Sequence, residues 1–374
     1  MRLIIVGPSH PYRGGIAAFT DRLATEFAGE GVDIEVVTFK LQYPSFLFPG
    51  KTQYTDAKAP EGFAIERKVN SINPLNWIKV GKEIRKKKPD IVVFTYWMSF
   101  FAPCFSKIAK VVKKNRHAKC IGLIHNMIPH EKSVIDKWFA PRFVKAMDGF
   151  VTLSKSVLGD VKSIDSQNKP KCLVPHPLYD HFGEMMDRTE AKKHLGLDEN
   201  CQYILFFGLV RAYKGLDLLI DAFADERLRK FTMKLIVAGE FYDDPKPYHE
   251  HVEKHGLKDL VIIRNQYISD DDVKYYFNAA DVIVQPYKSA TQSGVTQIAY
   301  HFEKPILVTN VGGLGEIIPN GKVGYVVEPN PNAIADALVD FYEKERYDTF
   351  VEGVKKEKMR YKWSNMTDAI KRLL

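Results

Sequence analysis

The sequence is poor in cysteine and has no long apolar run. Its four cysteines lie far apart and form no C-x-x-C pair, which argues against a structural zinc site or a disulfide framework and fits a reducing cytoplasm. No apolar run approaches the roughly 20 residues that span a bilayer, and the N-terminus lacks the features of a secretory signal. We therefore expect a cytoplasmic protein.

Length and charge indicate two unlike halves. A chain of 374 residues exceeds one ordinary hydrophobic core, so two domains are expected. Of the formal net charge of +8, the first 180 residues carry +12 and the remainder carries −4. This asymmetry predicts that one domain meets an anionic surface or substrate. No nucleic-acid-binding motif accompanies the basic excess, so nucleic acid is not expected as a partner.

Short β-branched runs alternate with helix-like stretches in two series. This alternation is typical of parallel sheets covered on both faces by helices, so the predicted fold class is α/β with two Rossmann-like doubly wound domains. The segment 174–182 interrupts the pattern with two prolines and is interpreted as the linker. The clearest predicted strands are 3–6, 33–38, 90–95, 120–125, 149–153, 203–207, 234–238, 260–264, 281–285, 305–309 and 324–327.

The end of the chain is helical in pattern. Its aromatic residues Tyr361 and Trp363 are expected to anchor a C-terminal helix that crosses back onto the first domain. The predicted domains are therefore 1–175, joined by about 356–374, and 186–355. In doubly wound sheets ligands bind at the carboxyl ends of the strands, so functional residues are expected there.

In the second series, a strand ends at Gly208 and a short loop follows with Arg211 and Lys214. Two cations on a strand-to-helix loop suit a diphosphate, because glycine permits close approach and the cations neutralise phosphate charge. The alternative is a pair of solvated surface cations on a turn.

A second phosphate-binding pattern follows the strand at 281–285. The loop S-A-T-Q-S-G leads into a helix whose free amides attract an anion, and the loop hydroxyls add donors. A simple Ser/Thr helix cap is the alternative. The next strand ends in T-N-V-G-G-L, followed by Glu316 in the first turn of a helix, where a carboxylate also complements the helix dipole.

Three runs in the second half, FGLVRAYKG, AADVIVQPY and PILVTNVGGLGEII…GKVGYVVEP, resemble the C-terminal domain of the family 4 (group 1) retaining glycosyltransferases of the GT-B fold. The resemblance implies two Rossmann-like domains that face each other across a cleft, with a nucleoside diphosphate sugar as the donor. It implies that Arg211 and Lys214 contact the donor diphosphate and act in catalysis, with Gly208 beside them. Because this fold holds diphosphate with cationic side chains and helix ends, no metal and no other cofactor is expected.

The chain departs from the family at the E-x7-E motif. The two glutamates of that motif fall at Ala290 and Ile298, so neither carboxylate is present. The chain therefore resembles a variant subgroup that bears Y-x-S-A-T-Q-S-G, in which loop hydroxyls, amides and a glutamine replace the glutamates. The further donor contacts expected in this variant are Thr291, Gln292, Ser293, Gly294, Gln297, Gly313 and Glu316.

In the first domain, the resemblance assigns roles to loops at two strand ends. Gly14 and Gly15 follow the first strand, where backbone amides of the family approach the donor phosphate and the acceptor. His125 ends another strand and matches the family histidine that contacts and orients the donor sugar, so the resemblance implies a catalytic role for it. The alternative is a structural histidine. The residues expected to position the acceptor or the sugar are Arg13, His130 and Glu131.

Residues 96–119 place aromatic side chains before a helix with six basic residues. Basic amphipathic helices of this kind contact anionic membrane surfaces, and many relatives use lipid-linked acceptors, so peripheral attachment at the inner face of a membrane is one expectation. The alternative is a surface helix that covers the sheet, with Ile108, Val111 and Val112 inside and the lysines outside.

The predicted function is transfer of a hexose from a nucleoside diphosphate sugar, with retention, to a glycan or lipid-linked acceptor in bacterial surface polysaccharide synthesis. Two alternatives remain open. A GT-B nucleotide-sugar epimerase would carry acid/base carboxylates, which the missing glutamates disfavour. A non-catalytic sugar-nucleotide-binding protein is favoured by the same absence. The acidic run at 270–272 is interpreted as a helix start rather than a metal site.

Overall fold

The computed structural model describes residues 1–44, 53–55, 58–127, 134–290 and 293–374, with only the backbone for 134–137. The strands are β1 Arg2–Val6, β2 Asp33–Leu41, β3 Ala64–Asn70, β4 Ile91–Tyr96, β5 Lys119–Ile124, β6 Gly149–Thr152, β7 Lys171–Leu173, β8 Gln202–Phe207, β9 Met233–Ala238, β10 Val261–Arg264, β11 Val282–Gln285, β12 Ile306–Thr309 and β13 Gly324–Val327. The α-helices are α1 Gly15–Gly29, α2 Pro74–Lys86, α3 Ala102–Val112, α4 Val134–Ala146, α5 Lys155–Ile164, α6 Arg188–His194, α7 Leu216–Phe223, α8 Lys246–Lys254, α9 Asp270–Ala279, α10 Gly294–His301, α11 Leu314–Ile317, α12 Pro331–Glu343, α13 Tyr347–Glu357 and α14 Trp363–Lys371.

The chain forms two compact units, each built on one parallel sheet. The first unit comprises 1–176 with 363–374 and carries the strand order β3-β2-β1-β4-β5-β6-β7. The second comprises 177–362 and carries the order β10-β9-β8-β11-β12-β13. In each sheet the strand order reverses beside the strand that comes first in the chain, which is β1 in the first sheet and β8 in the second. This reversal creates a switch point with a crevice at the carboxyl ends of the strands. The prediction of two Rossmann-like doubly wound domains is confirmed.

Each sheet is buried on both faces. In β1, Ile4 and Val6 pack into one hydrophobic core, whereas Leu3 and Ile5 pack into a second core on the opposite face. The second sheet has the same arrangement, with a separate core on each face. Because both faces are covered, the central strands are nearly continuous apolar runs, which explains why the sequence pattern located them.

The two strands absent from the clearest predictions, β3 and β7, lie at the edges of the first sheet. Each pairs with a single neighbour. In β3 only Val69 is fully buried, and Glu66 instead forms ion pairs with lysines. An edge strand with a solvated side needs no continuous apolar run, so pattern reading overlooks it.

The C-terminal helix α14 belongs to the first unit, as predicted. Trp363, Met366 and Ile370 lie in the same hydrophobic core as α1. At the helix end, the Lys371 Nζ atom lies 2.5 Å from the Glu30 carboxylate, so an ion pair adds to the apolar packing.

Tyr361 does not share this role. Its ring packs in the core of the second unit, and its hydroxyl donates to the Ile317 carbonyl oxygen at 3.1 Å. The expectation that Tyr361 and Trp363 both anchor the crossing helix is therefore wrong for Tyr361. The reason is that the chain passes from one unit to the other between Lys362 and Trp363.

Helix α3 packs as a surface helix over the first sheet. Ile108, Val111 and Val112 are buried, whereas Lys107 and Lys110 are exposed. The preceding aromatic residues are buried or partly buried, so they contribute to the core. Among the described residues, no helix combines the length and the apolar character that crossing a membrane requires.

Candidate functional site

The carboxyl ends of β8 and β11 meet at the switch point of the second sheet. Glycines shape the loop that follows β8. Gly208 has a φ of 95°, and a Cβ atom on Gly239 would lie 2.2 Å from the Gly208 carbonyl oxygen. Gly215 has a φ of 69°, and a Cβ atom there would lie 2.0 Å from the Pro286 carbonyl oxygen. Only glycine fits at these positions, so the loop that follows β8 lies directly against the backbone at the ends of β9 and β11.

This loop presents the two predicted cations. Arg211 precedes a single 3-10 turn that ends at Lys214, and the Lys214 amide donates to the Arg211 carbonyl oxygen at 2.9 Å. The Arg211 guanidinium lies 4.0 Å from the ring centre of Tyr242, and the Lys214 ammonium lies 5.6 Å from that of Tyr287. Both aromatic faces hold their cations by cation–π attraction. Tyr242 and Tyr287 could not be predicted from the sequence, because an aromatic residue after a strand carries no distinctive pattern.

Neither cation is neutralised by a carboxylate of the residues that the structure describes. Across the described ranges, Arg211 and Lys214 form no ion pair, and the buried Nε atom of Arg211 has no hydrogen-bond partner. Burial and the nearby charge of Arg211 lower the pKa of Lys214 to about 8. By contrast, the Nζ atom of Lys288, just beyond β11, lies 2.6 Å from the Asp217 carboxylate. Two half-buried like charges without a counter-charge favour a bound anion over freely solvated cations.

Helix α10 starts near this loop. Ser293 accepts no capping hydrogen bond, so the helix-cap alternative is wrong for this serine, and its hydroxyl instead lies 3.4 Å from the Tyr287 hydroxyl. A Cβ atom on Gly294 would lie 2.9 Å from Tyr179, so packing also requires that glycine. The other two predicted phosphate contacts, Thr291 and Gln292, lie outside the described residues.

Gln297 lies in α10 and is 2% exposed. Its Oε1 atom is buried without a hydrogen-bond partner in the part of the chain that the structure describes. Leaving such an oxygen unpaired costs about 1–3 kcal/mol. Hydrogen bonds within the described structure therefore do not account for a buried glutamine at this position. At the end of β12, Gly313 precedes α11 and Glu316 lies in its first turn.

The first unit has a cavity of about 210 Å³ at the carboxyl ends of its central strands. Three predicted residues come together here: Arg13, Gly14 and Gly15 all line it. Gly14 has a φ of 117° and precedes α1, so glycine relieves backbone strain there. Aromatic and polar side chains complete the lining; they include Tyr12, Gln42, Tyr43 and Trp97.

His125 follows β5 directly, and its amide donates to the Tyr96 carbonyl oxygen at 2.8 Å. Its ring lies edge-on to Phe19, with centres 4.8 Å apart. Burial, aided by the nearby His176, lowers the pKa of His125 to about 3, so the ring is neutral at pH 7. Its buried Nε2 atom has no hydrogen-bond partner among the described residues. His130 and Glu131 lie outside them.

The two halves of the chain match two family models. The model described as Glycosyltransferase Family 4 matches residues 13–178, and the model described as Glycosyl transferases group 1 matches residues 187–360.

Individual proteins are similar over different shares of the chain. The D-inositol 3-phosphate glycosyltransferase of Streptomyces scabiei is 24% identical over 88% of this chain and 78% of its own length. The lipopolysaccharide core biosynthesis mannosyltransferase of Rhizobium meliloti is 29% identical over 43% of this chain and 47% of its own. Among solved structures, HepE of Anabaena, crystallised with UDP, has a TM-score of 0.73 at 14% identity and covers 100% of this chain and 99% of its own. That likeness shows a shared fold.

Proposed function

We propose, from the premise that this chain belongs to the glycosyltransferases of group 1 and family 4, that it transfers a hexose from a nucleoside diphosphate sugar with retention of configuration. The observation that carries the donor class is the pair Arg211 and Lys214, which lie without a carboxylate partner in the described structure at the switch point of the second sheet. Such a pair suits a diphosphate, which carries two adjacent negative groups.

In the proposed reaction, the bond between the anomeric carbon and the diphosphate oxygen breaks, and negative charge develops on the leaving diphosphate. Arg211 and Lys214 stabilise that charge more strongly in the transition state than in the bound donor. Their positions are set before the donor binds, because glycine contacts and aromatic faces fix the loop. In this proposal the two cations replace a metal ion at the diphosphate.

The proposed acceptor is a glycan or a lipid-linked glycan in surface polysaccharide synthesis. The aromatic and polar lining of the first unit's cavity supports a sugar acceptor, since apolar ring faces and hydrogen-bonding groups both occur there. Peripheral attachment to an anionic membrane would rest on exposed lysines such as Lys107 and Lys110, since the neighbouring aromatic side chains pack in the core.

The test begins with a thermal-shift series of UDP-, GDP- and ADP-sugars and the corresponding diphosphates. We expect one base to raise the Tm by several degrees, because a ligand at 100 times its Kd stabilises the folded state by about 2.7 kcal/mol. The same increase should be lost in Arg211→Ala. If no nucleoside diphosphate raises the Tm of the wild-type protein, the donor proposal is wrong.

Product analysis separates the three reaction classes. Incubation of the stabilising donor with glycan acceptors should yield a glycoside with the donor's anomeric configuration, read by NMR. Conversion of the donor into an epimer would instead support the epimerase alternative. Stabilisation without any turnover, across lipid-linked and free acceptors, would support the non-catalytic alternative.

The pH dependence of the reaction should follow the ionisation of Lys214. Its pKa is lowered to about 8, so its charge is present below that pH and is lost as the pH rises through it. We expect kcat/KM for the donor to fall above pH 8, whereas kcat should persist to higher pH because bound diphosphate favours the ammonium form. In Lys214→Arg the fall should disappear, since arginine stays protonated. A fall at the same pH in Lys214→Arg would contradict this assignment.

A further inference from the structure

One side-chain cluster in the second unit takes no part in the proposed diphosphate site. Helix α8 carries His251, and His255 follows it four residues later, directly after the last residue of the helix. Asp221 comes from α7. Residues four apart lie on one face of a helix, and here both imidazoles meet the same carboxylate. The two rings are 5.0 Å apart between their centres.

The nitrogen atoms converge on one oxygen of Asp221. The Oδ1 atom lies 2.6 Å from His251 Nε2 and 3.0 Å from His255 Nε2. His251 makes a hydrogen bond to that oxygen. The buried His255 Nε2 atom has no hydrogen-bond partner within the described ranges, although the oxygen is only 3.0 Å away. This nitrogen therefore lies beside the carboxylate without being engaged in a hydrogen bond, which leaves it available as a ligand atom.

We propose that Asp221, His251 and His255 bind a divalent transition-metal ion, with Zn²⁺ as the preferred ion. Each residue offers one ligand atom, and the three atoms lie within 4.8 Å of one another. Zn²⁺ binds imidazole nitrogen and carboxylate oxygen at about 2.0–2.2 Å, which places tetrahedral ligands roughly 3.4 Å apart. Small side-chain movements bring the cluster to that spacing. Two imidazoles favour a transition metal over Mg²⁺ or Ca²⁺, which prefer oxygen ligands.

The cluster also leaves room for a further ligand. The three side chains are about a quarter to a third exposed, so a solvent molecule completes the coordination. The ion would join α7 to α8, and α7 begins directly after the Lys214–Gly215 pair of the diphosphate loop. This site departs from the expectation that the chain holds no metal. It does not rest on the proposed glycosyl transfer.

The experiment uses the full-length protein without any histidine tag, treated with EDTA and dialysed. Titration with ZnCl₂ in a calorimeter should give one Zn²⁺ per chain. We expect His251→Ala, His255→Ala and Asp221→Asn to weaken the affinity by at least roughly 10–100-fold, the loss seen when even supporting residues of metal sites are changed. The matched control is His249→Ala, because His249 is an exposed histidine on the same helix. It should bind Zn²⁺ as the wild-type protein does.

Two further readouts make the outcome decisive. Zn²⁺ should raise the Tm of the wild-type protein and of His249→Ala but not that of His251→Ala, and Co²⁺ should give the visible absorption bands of a tetrahedral site. Far-UV circular dichroism identifies any variant that fails to fold. If His255→Ala fails to fold, His255→Gln is used in its place. The proposal is overturned if the metal-free protein binds no stoichiometric Zn²⁺, if binding survives loss of either histidine, or if Mg²⁺ binds equally well.

Discussion

Replacing Lys214 with alanine is expected to lower kcat for glycosyl transfer by roughly 10²–10³-fold, the loss measured when a preorganised donor to a developing anion is removed. The physical reason is that Lys214 is half-buried beside Arg211 and forms no ion pair within the described structure, so its charge is available to the leaving diphosphate. Arg211→Ala is expected to show a loss of similar size. Steady-state kinetics with the donor found by thermal shift measures both.

The chain offers a matched control in Lys288→Ala. Lys288 also follows the end of a central strand, but the Asp217 carboxylate already neutralises it. We expect Lys288→Ala to change kcat less than a few-fold. Burial disfavours the Lys214 charge, so Lys214→Ala should not lower the Tm, which separates lost catalysis from unfolding. Near-normal turnover in Lys214→Ala, or an equal loss in Lys288→Ala, would refute the assignment.

The second large effect is expected from Gly215→Ala, which should destabilise the second unit by roughly 2–5 kcal/mol. Part of that cost is backbone strain, about 1–2 kcal/mol, because Gly215 has a φ of 69°. The rest is a collision, since the new Cβ atom would lie 2.0 Å from the Pro286 carbonyl oxygen and must displace the backbone of the strand end. The shift of the urea unfolding midpoint measures the loss.

Gly196→Ala is the control that isolates the collision. Gly196 has a φ of 66°, almost the same as Gly215, but a Cβ atom there would meet nothing within 4 Å. Gly196→Ala should therefore lower the free energy of unfolding only by the backbone-strain part, about 1–2 kcal/mol. Equal losses in the two variants would show that the loop does not lie tightly against the end of β11.

Much of this protein could be predicted because its central strands are buried on both faces. Strands such as β8 and β11 are apolar along nearly their whole length, so the sequence alone reveals them. The glycine at a strand end and the cations Arg211 and Lys214 are visible for a related reason, since they follow such strands within a few residues. The edge strand β3 was not predicted, because a strand with one open side need not be apolar along its length.

The electrostatic state of the candidate site could not be predicted in this way. A lysine beside a carboxylate and a lysine beside another cation look the same in a sequence, and Lys288 and Lys214 differ only through their neighbours in space. The neutral state of His125 likewise follows from its burial against Phe19. Desolvation and charge proximity depend on three-dimensional distances, which residue order does not specify.

The sequence by itself determined the fold class, the two sheets and the loop that carries Arg211 and Lys214, because these depend on local periodicity and on residues adjacent in the chain. Only the tertiary structure decided that those cations have no carboxylate partner in the described residues, that Gly215 is pressed against Pro286, and that Asp221 meets His251 and His255. The last two contacts join residues that lie 30 or more positions apart along the chain. Packing brings such residues together, and no short pattern records it.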